Sequence, residues 1–89
     1  MMTDTEREKI LAEYGELQRL MGEARRRMMD GERISLATIT KRTKKLCDYI
    51  TSLIPEERIR FADRLGSLVT DLDLLEVQMR AQQEAVAAQ

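Results

Sequence analysis

Residues 55–86 read PEERIRFADRLGSLVTDLDLLEVQMRAQQEAV. Apolar residues recur here at alternating intervals of four and three, which predicts one long amphipathic helix with a continuous apolar seam. The seam consists of Phe61, Leu65, Leu68, Leu72, Leu75 and Met79. Pro55 favours the first position of a helix, and Glu56 and Glu57 favour its amino end. The residues upstream are therefore expected to fold against this helix.

A first helix is predicted over about residues 5–29. Either Thr3 with Glu6 or Thr5 with Glu8 has the spacing of a capping box, which satisfies backbone donors at a helix start. Gly31 is expected to end this helix in the left-handed conformation that glycine adopts without strain.

A second helix is predicted over about residues 36–53, with Ser35 as its N-cap. Thr43 is the one polar member of its apolar seam. Its hydroxyl is expected to bond back to the carbonyl one turn earlier, as threonine often does within helices. Pro55 then separates this helix from the third.

Composition favours an all-α fold. The chain has 89 residues, with one Phe, two Tyr and no Trp. This length and this scarcity of aromatic residues favour a single small helical domain over residues 1–89. Short connections make consecutive helices antiparallel neighbours. We therefore expect a three-helix antiparallel up-down-up bundle, or a helical hairpin with a long protruding third helix, dimeric in either case.

Helix lengths predict an exposed surface. At 1.5 Å per residue the second helix is about 27 Å long and the third about 48 Å, so the second covers the third only to about Leu72. The remainder stays apolar and needs a covering partner. The first helix of the same chain, a second copy of the chain or another protein's amphipathic helix could cover it. The predicted partner-binding residues are Leu72, Leu74, Leu75, Val77 and Met79.

The charge is unevenly distributed. Residues 25–45 carry eight basic and two acidic groups, although the whole chain has a net charge of −1. A basic patch of this kind suits nucleic-acid phosphates, but the segment has no aromatic residue for base stacking. The competing expectation is that its lysines pair with Asp63, Asp71, Asp73 and Glu76 of the third helix. The patch consists of Arg25, Arg26, Arg27, Lys41, Arg42, Lys44 and Lys45.

Catalytic chemistry has little support in the sequence. There is no His and a single Cys, Cys47, which is expected to be a buried inert thiol. Gly-rich phosphate loops and Glu-x-x-His metal motifs are both missing, so we expect no enzyme activity, no metal and no cofactor. There is also no run of about 18 apolar residues. Because the first ten residues are too polar for a secretory signal, a cytoplasmic location is expected.

Two segments carry a family resemblance. Leu53-Ile-Pro-Glu-Glu, followed by the long helix through Leu72-Asp-Leu-Leu-Glu-Val-Gln-Met79, resembles the small all-helical chaperones of bacterial flagellar and type III export. In that family short cytoplasmic chains of antiparallel helices hold secretion substrates, often through a carboxyl-terminal helix that presents apolar residues. The resemblance implies such a role for the apolar stripe of the third helix.

Three functional hypotheses follow. The first is a non-enzymatic adaptor or export-chaperone-like protein that captures a helical partner or a second copy through its third helix. The alternative is a small dimeric regulator that binds nucleic acid through the basic hairpin. The third is a structural subunit without an independent role.

Overall fold

The computed structural model describes residues 3–87, with the side chains of residues 3–84. The described chain is all-helical, without strands. Helix α1 spans Asp4–Met29, α2 spans Ala37–Thr51 and α3 spans Pro55–Ala87. These bounds differ from the predicted ones by at most two residues at any end.

Local sequence rules account for both ends of α1. Thr3 is the N-cap, and its hydroxyl accepts a hydrogen bond from the amide of Glu6 at 3.2 Å. The first of the two proposed capping pairs is therefore the one used. At the other end Gly31 has φ of +83°, and the amide of Glu32 donates to the carbonyl of Arg27 at 3.0 Å. This is the glycine-dependent end that the sequence predicts.

The start of α2 differs slightly from the prediction. Leu36, not Ser35, is the N-cap, and it makes no side-chain capping bond. Ser35 instead accepts a hydrogen bond through Oγ from the amide of Ala37 at 3.3 Å. A serine hydroxyl readily makes this local turn, which moves the helix start one residue along the chain. Pro55 is the first residue of α3, as predicted.

One apolar core lies between the three helices. Thirteen of the described apolar side chains are buried in it, and they come from all three helices and from the connection before α2. They are Ile10, Leu17, Met21, Ala24, Met28, Leu36, Ile39, Leu46, Ile50, Phe61, Leu68, Leu72 and Leu75. The resulting body is elongated, about 55 Å by 18 Å by 17 Å.

Helix α1 contacts α3 near both of its ends. Arg7 Nη2 donates to Glu57 Oε1 at 3.1 Å, close to the amino ends of the two helices. Gln82 Nε2 donates to the carbonyl of Met28 at 3.3 Å, close to their carboxyl ends. The prediction that α3 protrudes beyond about Leu72 is therefore wrong. Of the possible coverings, the first helix is the one observed, because the 26-residue α1 lies beside α3 as far as Gln82.

Thr43 departs from its predicted role. The residue is 2% exposed, and within the described chain its Oγ1 has no hydrogen-bond partner. The predicted bond to a carbonyl one turn earlier is absent. Its neighbours on the same helix face, Ile39, Leu46 and Ile50, are buried and apolar, so no side chain on that face can replace the lost bond to water. A buried hydroxyl without a partner destabilises the folded state.

Replacing Thr43 by Val should therefore raise the free energy of unfolding by about 1 kcal/mol, because the unpaired hydroxyl is exchanged for a methyl group of similar size. Thr43→Ser is the matched control. It keeps the hydroxyl and removes a buried methyl group, so it should lower stability by about 1 kcal/mol. Urea denaturation followed by circular dichroism measures both changes. A destabilised Thr43→Val variant would show that the hydroxyl is bonded after all.

Candidate protein-interaction surface

The five predicted partner-binding residues lie in different environments. Leu72 and Leu75 are buried core residues, and Met79 is partly buried against that core. Leu74 is 53% exposed and Val77 is 59% exposed. Only Leu74 and Val77 are therefore well placed to meet a partner without unpacking the bundle.

An exposed isoleucine, Ile59, extends this surface. Ile59 is 75% exposed and lies 18 residues before Val77. Eighteen residues are five helical turns, so the two side chains lie on one line along α3, about 27 Å apart. The seam residues Leu68 and Leu75 lie on the opposite side of the helix. Sequence reasoning followed the seam and missed Ile59, although its 18-residue spacing from Val77 was a usable signal.

The exposed residues along this line form what we call the outer face of α3. Its middle is small and open: a side-chain carbon added at Gly66 would meet nothing within 4 Å. Small residues at the middle allow another helix to approach closely between the larger residues at the two ends. The outer face consists of Ile59, Ala62, Gly66, Thr70, Leu74 and Val77, all of them exposed.

Acidic side chains alternate with the residues of the outer face, of which Ala62 and Leu74 lie about 60° from the line between Ile59 and Val77. Asp63 and Asp73 lie about 40° to either side of the line from Ile59 to Val77 at 3.6 residues per turn, and both are exposed. Glu56 and Glu84 lie near its two ends and are also exposed. None of the four forms an ion pair within the described part of the chain.

The predicted pairing of lysines with acids of α3 is wrong. Among the described residues, no ion pair joins a lysine to Asp63, Asp71, Asp73 or Glu76. The reason is the rotation of α2. Its core residues occupy one face, and Lys41, Lys44 and Lys45 lie on the opposite face, away from α3.

The basic patch is divided by internal pairing. The Arg42 guanidinium donates to Glu13 of α1, and this hydrogen bond raises the pKa of Arg42. Arg27 Nε lies 3.0 Å from Glu32 Oε2. Arg25 is half-buried, whereas the other four residues of the patch are exposed and lack an ion pair within the described chain. They are Arg26, Lys41, Lys44 and Lys45.

A shallow groove lies on another side of α3. It has a volume of about 460 Å³ and runs between the connection before α2 and the carboxyl half of α3. Glu76, Met79 and Arg80 line one wall, and Ile34 and Leu36 line the other. Met79, a predicted partner-binding residue, therefore faces the connection before α2 of the same chain.

Cys47 is half-buried, and burial raises the pKa of its thiol. A raised pKa keeps the thiol protonated and weakly nucleophilic near neutral pH. Within the described part of the chain, no three His, Cys, Asp or Glu residues cluster in a way that would hold a metal ion. No helix there is both long and apolar enough to cross a membrane.

Glu57 is the buried carboxylate among the described residues. Its hydrogen bond from Arg7 holds the pKa of Glu57 below its ordinary value, despite the opposing effect of burial. The same bond raises the pKa of Arg7. A carboxylate that stays ionised and paired is poorly suited to act as a general acid. We therefore assign this pair to holding α1 and α3 together.

The ion pair between Arg7 and Glu57 makes the stability of the folded chain depend on pH. Because the pKa of Glu57 is lower in the folded chain, its contribution is present above the ordinary glutamate pKa of about 4.3 and is lost as pH falls through the folded value. Glu57→Gln should flatten the fall in stability below about pH 4.3. Glu56→Gln, a change at the exposed neighbour, is the control and should preserve the wild-type slope. Urea denaturation midpoints measured from about pH 2 to about pH 7 test both variants. An unchanged slope for Glu57→Gln would contradict the assignment.

Comparison of the chain with protein-family models, with curated proteins and with solved structures finds no match.

Proposed function

We propose that this chain is a non-enzymatic protein-interaction module, an adaptor or export-chaperone-like protein, which binds an amphipathic helix along the outer face of α3. One observation carries the proposal. Ile59, Leu74 and Val77 are exposed apolar side chains on one side of α3, whereas the core occupies its other side. Leu74 and Val77 are neighbours at one end of this side and Ile59 lies at the other end; exposed apolar residues grouped among polar ones are typical of a protein-binding surface.

Binding at this surface leaves the core intact. The residues that hold the three helices together, such as Leu68 and Leu75, are already fully buried. A partner would gain apolar contact with Ile59, Leu74 and Val77 at about 25 cal/mol per Å² removed from water. Helix capture by a preformed face avoids most of the ordering cost that unfolded segments meet on binding.

The proposed arrangement of the chain is an up-down-up antiparallel bundle acting in the cytoplasm. Two contacts support the arrangement, because Arg7 to Glu57 and Met28 to Gln82 join corresponding ends of α1 and α3. A homodimer formed through the outer face is a second way to cover the same apolar residues.

Placing glutamates on the outer face tests the proposal. Leu74→Glu combined with Val77→Glu should leave helix content and urea stability near wild type, because both positions are solvent-exposed. The amount of partner protein captured by this variant should fall at least about tenfold, because each glutamate would place a charge in the apolar contact of the complex. The measurement is quantitative mass spectrometry of proteins captured from the native cell on tagged wild type and tagged variant.

Two controls accompany that variant. Gln78→Glu with Gln83→Glu adds the same charge at exposed positions of α3 outside the outer face, and it should retain the partners. Leu75→Glu places a charge in the core and should unfold the chain. Partners retained by the Leu74 and Val77 variant would contradict the proposed surface.

A second candidate function rests on one specific observation. Lys41, Lys44 and Lys45 lie together on the solvent face of α2 and have no ion pair within the described residues. Such a set of lysines can neutralise nucleic-acid phosphates. Arg27 and Arg42 of the predicted patch are already paired with Glu32 and Glu13, which reduces the charge available for this role.

Replacing Lys41, Lys44 and Lys45 together by Gln separates the two functions. Under the main proposal the variant captures the same protein partners as the wild type, because these residues lie on a different helix. Under the second candidate, the wild type binds a labelled oligonucleotide with an affinity that falls steeply with salt, and the variant does not bind. Fluorescence anisotropy of the labelled oligonucleotide at several salt concentrations measures this affinity for the wild type and the variant. Loss of protein capture in this variant would move the interaction surface to α2.

A further inference from the structure

The charges around the outer face of α3 define the partner more closely. We infer that its occupant is an amphipathic helix whose apolar stripe is flanked by lysine or arginine. The inference rests on the proposed function and adds the chemistry of the partner to it. Four exposed acidic residues lie among or beside the residues of the outer face, whereas Arg80 is the basic residue within about 60° of the same line. The four are Glu56, Asp63, Asp73 and Glu84.

The acids are available to a partner because none of them forms an ion pair with another described residue. Among the described residues, the chain's own ion pairs lie elsewhere, between α1 and the other two helices or within α1 and its following turn. The lysines that were expected to neutralise Asp63 and Asp73 lie on the far side of α2. A partner helix seated on Gly66 would therefore have Asp63 on one side and Asp73 on the other.

A second copy of the chain suits this surface less well. If two α3 helices paired antiparallel with Ile59 against Val77, Asp63 of each copy would fall at the level of Asp73 of the other. If they paired in parallel, each aspartate would meet its own equivalent. Both orientations bring like charges together beside the apolar contact, which opposes association. A helix with basic flanks has no such conflict.

The outer face also sets the size of the occupant. The line from Ile59 to Val77 is about 27 Å long, which corresponds to about 18 residues of helix. Apolar side chains at intervals of three and four would lie along it, with basic side chains one position to either side. Gly66 leaves room near the middle for a large apolar residue of the partner.

Three matched synthetic peptides test the inference. Each has about 18 residues and the same leucine stripe, and the flanking positions are all lysine, all glutamine or all glutamate. Anisotropy of the labelled peptides titrated with the full chain measures affinity. The lysine peptide should bind about tenfold more tightly than the glutamine peptide, because several exposed ion pairs each contribute a little. The glutamate peptide should bind more weakly than both. The difference should shrink between about 0.05 M and about 0.5 M salt.

Variants of the chain assign the effect to the outer face. Asp63→Asn with Asp73→Asn should remove most of the preference for lysine and keep binding of the glutamine peptide. Asp30→Asn with Asp48→Asn removes the same charge from exposed positions outside α3 and should preserve the preference. Leu74→Ser with Val77→Ser removes apolar surface without adding charge, and it should weaken all three peptides.

The outcomes separate this inference from the proposed function. Equal binding of the lysine and glutamine peptides, lost in the Leu74 and Val77 variant, would overturn the basic partner and leave the interaction surface standing. Lysine-peptide binding that survives that variant would place the peptide elsewhere and overturn the inference. A dimer of the chain in analytical ultracentrifugation that is abolished by Val77→Glu would identify a second copy as the occupant and also overturn it. Binding of none of the peptides would count against the proposed function itself.

Discussion

Burial of one side of α3 against α1 and α2 is the interaction on which the whole molecule depends. Leu68 and Leu75 of α3 and Leu17 of α1 are fully buried at its centre. Each such side chain contributes about 1.5–3 kcal/mol relative to an exposed one. A helix turns by about 100° per residue, so fixing the buried side also fixes which residues face outward. The exposure of Ile59 and Val77 is thus a direct consequence of the core.

Features governed by short-range chemistry could be predicted from the sequence. Gly31 ends α1 with a positive φ because glycine alone adopts it without strain, and Thr3 caps α1 because its hydroxyl reaches a free amide. The position of α1 along α3 could not be predicted in the same way. Apolar periodicity gives the face of each helix but not its height against a neighbour, so the contact of Gln82 with Met28 was missed.

The charged residues also include features that the sequence predicts and features that depend on the folded structure. Counting residues identified a basic segment, but ion pairing depends on how each helix is rotated about its axis. Arg42 points to Glu13 of α1, whereas Lys44 lies on the solvent side of the same helix. The environment of Thr43 likewise could be predicted only in part. Its burial follows from periodicity, but the missing partner for its hydroxyl depends on the surrounding side chains. For the candidate surface, the sequence predicted Leu74 and Val77 but placed buried Leu72 and Leu75 with them.

Helix α3 carries apolar residues on two opposite sides, only one of which its own bundle buries. Its inner side fills the core through Phe61, Leu68 and Leu75, and its outer face carries Ile59 and Val77 in water. A helix with apolar residues on opposite sides is suited to the interior of a larger helical assembly. When another helix lies along the outer face, α3 becomes the central element between that helix and its own bundle. In the proposed complex, Asp63 and Asp73 would then favour a partner helix with basic side chains, because both aspartates lie about 40° from the line between Ile59 and Val77.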